Sequence, residues 1–218
     1  MSGGRLAIPE PGAIYTVGLN YRSAGEGRHA ARPARPLIYG KAVSSIVGDG
    51  ATVAWDRSVT ANVDAEVELG VVIGSTAWKV TTDEAMGHVA GYTIVNDISS
   101  RDPWLDGDQW LIGKSMPGFC PAGPRLVPAD AFDPSDVRLG CTIDGEPIQD
   151  GRTSAMRFSV AEIVSFLSWH VELRPGDLIA SGTPARLATP PGPDRRLEPG
   201  DVVVCWIDGI GELTTHIA

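Results

Sequence analysis

The chain has 218 residues, 43% of them hydrophobic and 21% charged, a balance and length that suit one globular domain with a large core. Lys and Arg number 18 against 27 Asp and Glu, and the resulting net charge of −9 excludes a general nucleic-acid or anionic-membrane surface, which needs a basic field. An acidic small substrate stays compatible, because a metal ion or a few local cations can reverse the field inside one cleft.

The opening MSGGRLAIPEPG has no apolar h-region, and no apolar run approaches the length of a membrane span, so the expected location is the cytoplasm. Tyr15–Leu19 reads as a short strand running into Asn20. Residues 23–35, SAGEGRHAARPAR, are small, polar, basic and Gly-interrupted; they read as a mobile lid, or equally as a solvated loop. Beyond Pro36 strand signals take over: Val67–Ile73, Tyr92–Val95 and Val202–Trp206 are β-branched and apolar. Pro175-Gly176-Asp177 and Pro199-Gly200-Asp201 each launch an apolar run, and Pro followed by Gly suits a type II turn. Thr81-x-x-Glu84 and Ser159-x-x-Glu162 have capping-box spacing, and in the second helix Ile163, Phe166, Leu167 and His170 share one face, which predicts His170 in the core. Cys120, Cys141 and Cys205 are odd in number and far apart, as buried, reduced thiols would be. The fold class expected is α+β, mainly β, in a single domain over residues 1–218.

The strongest chemical signal is Asp64-Ala-Glu66-Val-Glu68-Leu-Gly70. Alternate residues of a strand share a face, so Glu66 and Glu68 point one way while Val67 and Leu69 point the other. Two carboxylates on one face repel unless a cation or solvent relieves them. The run continues as Gly-Val-Val-Ile-Gly, which predicts a buried strand where a hard divalent ion is the natural remedy; the alternative is an exposed face with two solvated glutamates. Asp97, at the end of the strand Tyr92–Val95, supplies a third carboxylate. Arg101 is suited to clamp a substrate carboxylate, or to pair with Asp102. Lysine is scarce, limited to Lys41, Lys79 and Lys114. Lys114, beside a turn-rich stretch, is a candidate anchor or acid–base group, or a surface lysine. Ser181-Gly182-Thr183-Pro184 is either an anion-binding turn or a loop.

Taken in order, Val17–Tyr21, Glu66-Val-Glu68-Leu, Gly91–Asp102, Gly113-Lys114-Ser, Pro121–Pro124, Pro175–Pro184 and Pro199-Gly-Asp-Val resemble the fumarylacetoacetate hydrolase family over nearly the whole chain. The resemblance implies a mixed β-sandwich roll, a homodimer, and Mg²⁺ or Mn²⁺ held by Glu66, Glu68 and Asp97. It implies a small-molecule 2-oxo acid or β-dicarbonyl substrate, with no nucleic-acid or membrane partner. Lys114 and Arg101 fall on catalytic positions; Asn20, Tyr21, Trp104 and Thr183 fall on substrate-contacting ones.

The departures carry information. The family's hydrolases commonly place a His and a Glu on the lid to activate water; here Ala24 and Gly27 stand in those positions, leaving Glu26 or His29 as the only nearby substitutes. Trp104 stands where a glutamine is common, and Pro117 where an aspartate often follows the lysine. A general base contributes about 10²–10⁴-fold, so the reading favours a lyase or isomerase using a metal-stabilised enolate, by decarboxylation or tautomerisation. The alternatives are a C–C bond hydrolase with a rearranged lid and a catalytically retired ligand-binding homologue.

Overall fold

The computed structural model describes residues 4–22, 32–106, 109–188 and 195–218. Most of the expected lid, residues 23–31 with Glu26 and His29, lies outside the described residues.

Among the described residues the strands are β1 (Ile14–Gly18), β2 (Leu37–Lys41), β3 (Ile46–Val47), β4 (Ala51–Val53), β5 (Val63–Asp64), β6 (Val67–Ile73) and β7 (Val89–Asn96). They continue as β8 (Ser99–Ser100), β9 (Cys120–Pro128), β10 (Arg138–Ile143), β11 (Glu146–Arg152), β12 (Leu178–Ala180), β13 (Val202–Ile207) and β14 (Gly211–Ile217). Four α-helices accompany them among the described residues: α1 (Thr82–Ala85), α2 (Pro103–Asp106), α3 (Trp110–Gly113) and α4 (Val160–Ser168). The mainly β, α+β class expected from the turn spacing is what forms.

One sheet runs β2-β1-β12-β6-β7-β9-β3 and a second runs β11-β10-β13-β14-β4, with β5 and β8 as a short ribbon. The first sheet cannot be flat. Its two edges, β2 and β3, are joined by only residues 42–45, a link that reaches about 18 Å at full extension. Seven strands laid flat would separate those edges by about 29 Å. The sheet therefore curls into a roll.

Strand β6 divides the molecule into two apolar regions by simple alternation. Val67, Leu69, Val71 and Ile73 join Leu139, Cys141, Val203, Cys205 and Leu213 of the second sheet in the main core. Val72 faces the other way, with Val95, Cys120, Ala122, Leu178 and Ala180, and forms the floor of the roll. Glu68 and the preceding Glu66 have the parity of Val72, so the fold sends both carboxylates into the roll and none into the main core.

The local signals hold. Gly176 and Gly200 take φ of +92° and +99° in their Pro-Gly-Asp turns, the left-handed value that a type II turn demands. In α4 the Ser159 hydroxyl accepts from the Glu162 N–H at 3.3 Å while the Glu162 carboxylate accepts from the Ser159 N–H at 2.8 Å. The Glu84 carboxylate closes back on the Thr81 N–H in the same way at 2.8 Å. His170 departs from expectation. The helix ends at Ser168, so its period no longer sets the direction of His170, which is exposed and stacks on Phe166 with ring centroids 4.5 Å apart. The three cysteines are free and buried, and Cys141 and Cys205 sit opposite each other on β10 and β13 with sulfurs 3.6 Å apart. No described helix is long and apolar enough to cross a membrane.

Candidate active site

Strand pairing assembles the acidic centre. Asp97 is the first residue past β7, and its N–H donates to the Glu66 carbonyl at 2.8 Å, which locks the end of β7 to the start of β6. Glu66, Glu68 and Asp97 are thereby gathered so that one oxygen of each lies within 4.8 Å of the others. On the opposite side β12 pairs with β6, and the chain leaving it brings the Gly182 N–H to a Glu68 oxygen at 2.8 Å. Gly182 has φ +101°, and a Cβ there would sit 2.7 Å from that of Asn20, so both conformation and space call for glycine.

Two lysines reach the centre from different elements. Lys114 follows α3 directly, and its Nζ donates to Glu66 Oε2 at 2.8 Å, Asp97 Oδ2 at 2.6 Å and Ser99 Oγ at 2.6 Å. Lys41, at the end of β2, donates to Asp97 Oδ1 at 2.5 Å and to the Ile98 carbonyl at 3.2 Å. Arg101 pairs with Glu66 and approaches Asp64 at 3.5 Å, while Arg186 pairs with the other Asp64 oxygen. Every carboxylate here except Glu68 thus has a cationic side chain against it among the described residues.

The titration behaviour follows from that distribution. Burial alone would raise Glu66, but Lys114 and Arg101 outweigh it and hold the carboxyl down at about 2. Glu68 moves the opposite way: burial, then the charge of Asp97, push it well above the ordinary carboxylate range, and the more distant Lys114 charge and the Gly182 N–H compensate too little. Burial works against the Lys114 charge, yet Asp97 and Glu66 more than restore it and the ammonium is held far above its usual range. Burial and the adjacent Glu68 raise the Tyr21 phenol.

These groups line a cavity of about 460 Å³, with Tyr21, Tyr39, Glu66, Glu68, Arg101, Trp110, Lys114, Gln149, Thr183, Arg186 and Arg196 on its walls. Its volume is in the range of small-molecule sites. Gln149 fixes one wall: its amide donates to Thr183 Oγ1 at 2.8 Å and to the Pro184 carbonyl at 2.7 Å, and its oxygen accepts from the Val67 N–H at 2.9 Å.

The donor set suits a hard divalent cation: three oxygen donors of like charge gathered within 4.8 Å of one another, one of them without an ion-pair partner among the described residues. Of the residues expected at the site, Glu66, Glu68, Arg101, Lys114, Tyr21 and Thr183 meet at this cavity, with Asp97 behind Lys114. Asn20 does not line it. Its side chain is buried among backbone groups, donating to the Phe158 and Ser181 carbonyls at 3.1 and 2.8 Å and accepting from the Phe158 N–H at 2.9 Å. Trp104 lies 60% exposed on α2 and off the cavity wall. Trp110 takes the wall position, its ring 4.9 Å from that of Tyr39 in an edge-on contact. Lys41, Tyr39, Trp110, Gln149, Arg186 and Arg196 were not singled out by motif; the scarcity of lysine was the one available sign, since two of the three lysines of the chain are buried here.

Comparison with known proteins places the chain. Fumarylacetoacetate hydrolase from Exiguobacterium antarcticum superposes with a TM-score of 0.89 at 37% identity, over 96% of this chain and 76% of that one. The 5-carboxymethyl-2-hydroxymuconate delta-isomerase of Mycobacterium smegmatis gives 0.86 at 33% identity, over 98% and 81%. Maleylpyruvate hydrolase from Sphingobium sp. SYK-6, solved with manganese(II) and pyruvate, gives 0.79 at 25% identity, over 96% and 71%. The model of the fumarylacetoacetate hydrolase C-terminal region matches residues 13–218, and the chain belongs to that family.

Proposed function

We propose that this protein is a Mg²⁺- or Mn²⁺-dependent enzyme acting on an enolisable 2-oxo acid or β-dicarbonyl compound, by decarboxylation or tautomerisation. The observation that carries this is Glu68: a buried carboxylate beside Glu66 and Asp97 that accepts a backbone N–H and, among the described residues, makes no ion pair. Glu66, Glu68 and Asp97 would hold the ion, which supplies Lewis acidity toward an oxo-acid head group.

The chain's own residues supply the rest. Lys114, kept as an ammonium by Asp97 and Glu66, is a fixed positive group on the cavity wall, placed to stabilise negative charge developing on a substrate oxygen. Arg101 presents a guanidinium to a substrate carboxylate. Thr183 accepts from Gln149, so its hydroxyl proton is available to a ligand. The apolar faces of Tyr39 and Trp110 keep water from part of the wall.

C–C bond hydrolysis is the second reading, favoured by the two hydrolases among the similar structures. Against it stand Ala24 and Gly27, where the family's hydrolases carry a water-activating His and Glu. A retired homologue is disfavoured by the intact carboxylate set.

The test starts with thermal unfolding of chelator-stripped protein with Mg²⁺ or Mn²⁺, then with oxalate as a stand-in for an enolised oxo acid. Selective binding at a hundredfold excess over Kd adds about 2.7 kcal/mol. A metal shift enlarged by oxalate is the expected result, followed by product analysis on a panel of oxo acids. No response to either metal, or indifference to oxalate, would overturn the proposal, and two product fragments with water incorporated would replace it by hydrolysis.

A further inference from the structure

Among the described residues of the second sheet, Gln149 on β11 alone lines the cavity, and it is buried there. Its amide has one possible orientation. The Val67 N–H can only donate and the Pro184 carbonyl can only accept, so the Gln149 oxygen must face Val67 and its nitrogen Pro184. The remaining amide proton goes to Thr183 Oγ1.

The backbone explains why a side chain from the other sheet is used. Strand β12 pairs with β6 only from Gly70 to Val72, and the Ser181 N–H extends that edge to the Leu69 carbonyl at 3.1 Å. The chain then turns away at Gly182, and the Val67 N–H, two residues further along β6, is met by Gln149. Val67 lies between Glu66 and Glu68, so Gln149 grips the strand where it carries two of the three clustered carboxylates. Its backbone also bridges to Arg186, and the Leu187 N–H donates to the Ile148 carbonyl at 2.9 Å, which ties the loop beyond Thr183 to β11.

The consequence falls on Thr183, which is half-buried on the wall of the cavity shared by Glu66, Glu68 and Lys114. A hydroxyl has one proton to give and two lone pairs to receive. One lone pair of Thr183 Oγ1 is taken by Gln149, and among the described residues no acceptor takes its proton. Gln149 cannot accept that proton, because its nitrogen and not its oxygen faces the hydroxyl.

We infer that Gln149 is a positioning residue acting through Thr183. By donating to the hydroxyl it makes Thr183 a donor toward the cavity, and by gripping Val67 it fixes where that donor stands relative to Glu66 and Glu68. This rests on the function proposed above, in which the hydroxyl meets an anionic oxygen of the oxo acid. With a residue at 149 that cannot donate, the hydroxyl is no longer held in its donating orientation. A hydrogen bond to a charged oxygen is worth about tenfold in affinity at the least.

The experiment is a double-mutant cycle read by calorimetric titration of the Mn²⁺-loaded protein with oxalate. Thr183→Val should weaken binding about tenfold, while Thr183→Ser, which keeps the hydroxyl, should retain most of the affinity. Gln149→Leu should weaken binding in the Thr183 background and change it by no more than about twofold in the Thr183→Val background. Gln149→Glu, which still accepts from Val67 but offers Thr183 an acceptor in place of a donor, should lose affinity in the same Thr183-dependent way. Equal losses from Gln149→Leu in the two backgrounds would show a purely structural spacer and overturn the inference. Unchanged affinity in Thr183→Val overturns it as well, and that variant, which leaves the grip of Gln149 on Val67 and Pro184 in place, decides where neither Gln149 variant folds. Wild-type binding of oxalate with additive losses rejects the role of Gln149 alone, whereas absence of oxalate binding in the wild type rejects the metal-centre reading and this inference with it.

Discussion

Lys41 and Asp97 form an ion pair at 2.5 Å in which both side chains are fully shielded from solvent. The lysine comes from the edge strand β2 and the aspartate from the end of β7, so the pair bridges the interior of the roll. Breaking a buried pair from one side leaves an uncompensated charge and costs about 3–5 kcal/mol. Lys41→Met should lower the unfolding free energy of the metal-free protein in urea titrations by less than that, because Lys114 still pairs with Asp97 at 2.6 Å. The double change with Asp97→Asn should cost less than the sum of the two single changes, because no charge is then stranded.

Glu68 gives the metal-free protein a pH dependence of defined sign. Its folded pKa is raised above the ordinary 4.5, so its favourable contribution is complete below 4.5 and is lost as pH rises through the folded value. Glu66, held at about 2, acts oppositely: its contribution is present above 4.5 and disappears as pH falls toward 2. Thermal unfolding of stripped protein across the neutral range should therefore show wild type losing stability relative to Glu68→Gln as pH rises. Saturating Mn²⁺ should remove that loss in wild type, since ion and proton compete for one carboxylate, and should do little for the variant.

Asn20 should behave as a clip and not as a substrate contact. Its three hydrogen bonds join the end of β1 to the Phe158 backbone and to Ser181. Asn20→Ala is expected to cost about 2–4 kcal/mol of stability by denaturant titration, through buried backbone groups left unpaired. Oxalate affinity of the folded, Mn²⁺-loaded variant should change far less.

The two tryptophans near the site should separate cleanly. Trp104→Ala, at an exposed position, is expected within about 0.5 kcal/mol of wild type in stability, with unchanged KM. Trp110→Ala removes the edge-on contact to Tyr39 and opens the wall beside Lys114, which should raise KM for an oxo-acid substrate; equal KM values in the two variants would contradict this assignment.

The part of the site that was legible in the sequence is the part built by strand periodicity. Glu66 and Glu68 share a face because they are two residues apart on one strand, and Asp97 joins them because it ends the neighbouring strand of an antiparallel pair. Both facts are local. Lys41 meets Asp97 across 56 residues and Arg186 meets Asp64 across 122, joined by the closure of the roll and by a loop pinned to Gln149. No spacing rule reports such pairs. His170 and Trp104 illustrate the complementary difficulty. Helical period assigns His170 a direction and the family resemblance assigns Trp104 a place at the substrate, but His170 lies past the end of α4 and Trp104 is exposed on a four-residue helix.

The cysteines offer a way to watch the two sheets separately. Cys120 lies on the floor of the roll, where burial pushes its thiol up to about 12, while Cys141 and Cys205 lie in the core between the sheets. None can be alkylated in the closed fold, so labelling rates report opening of each region. An ion bound at the acidic centre protects Cys120 to the extent that the roll opens as one unit with the site, and the rates at Cys141 and Cys205 tell how far that protection spreads into the second sheet.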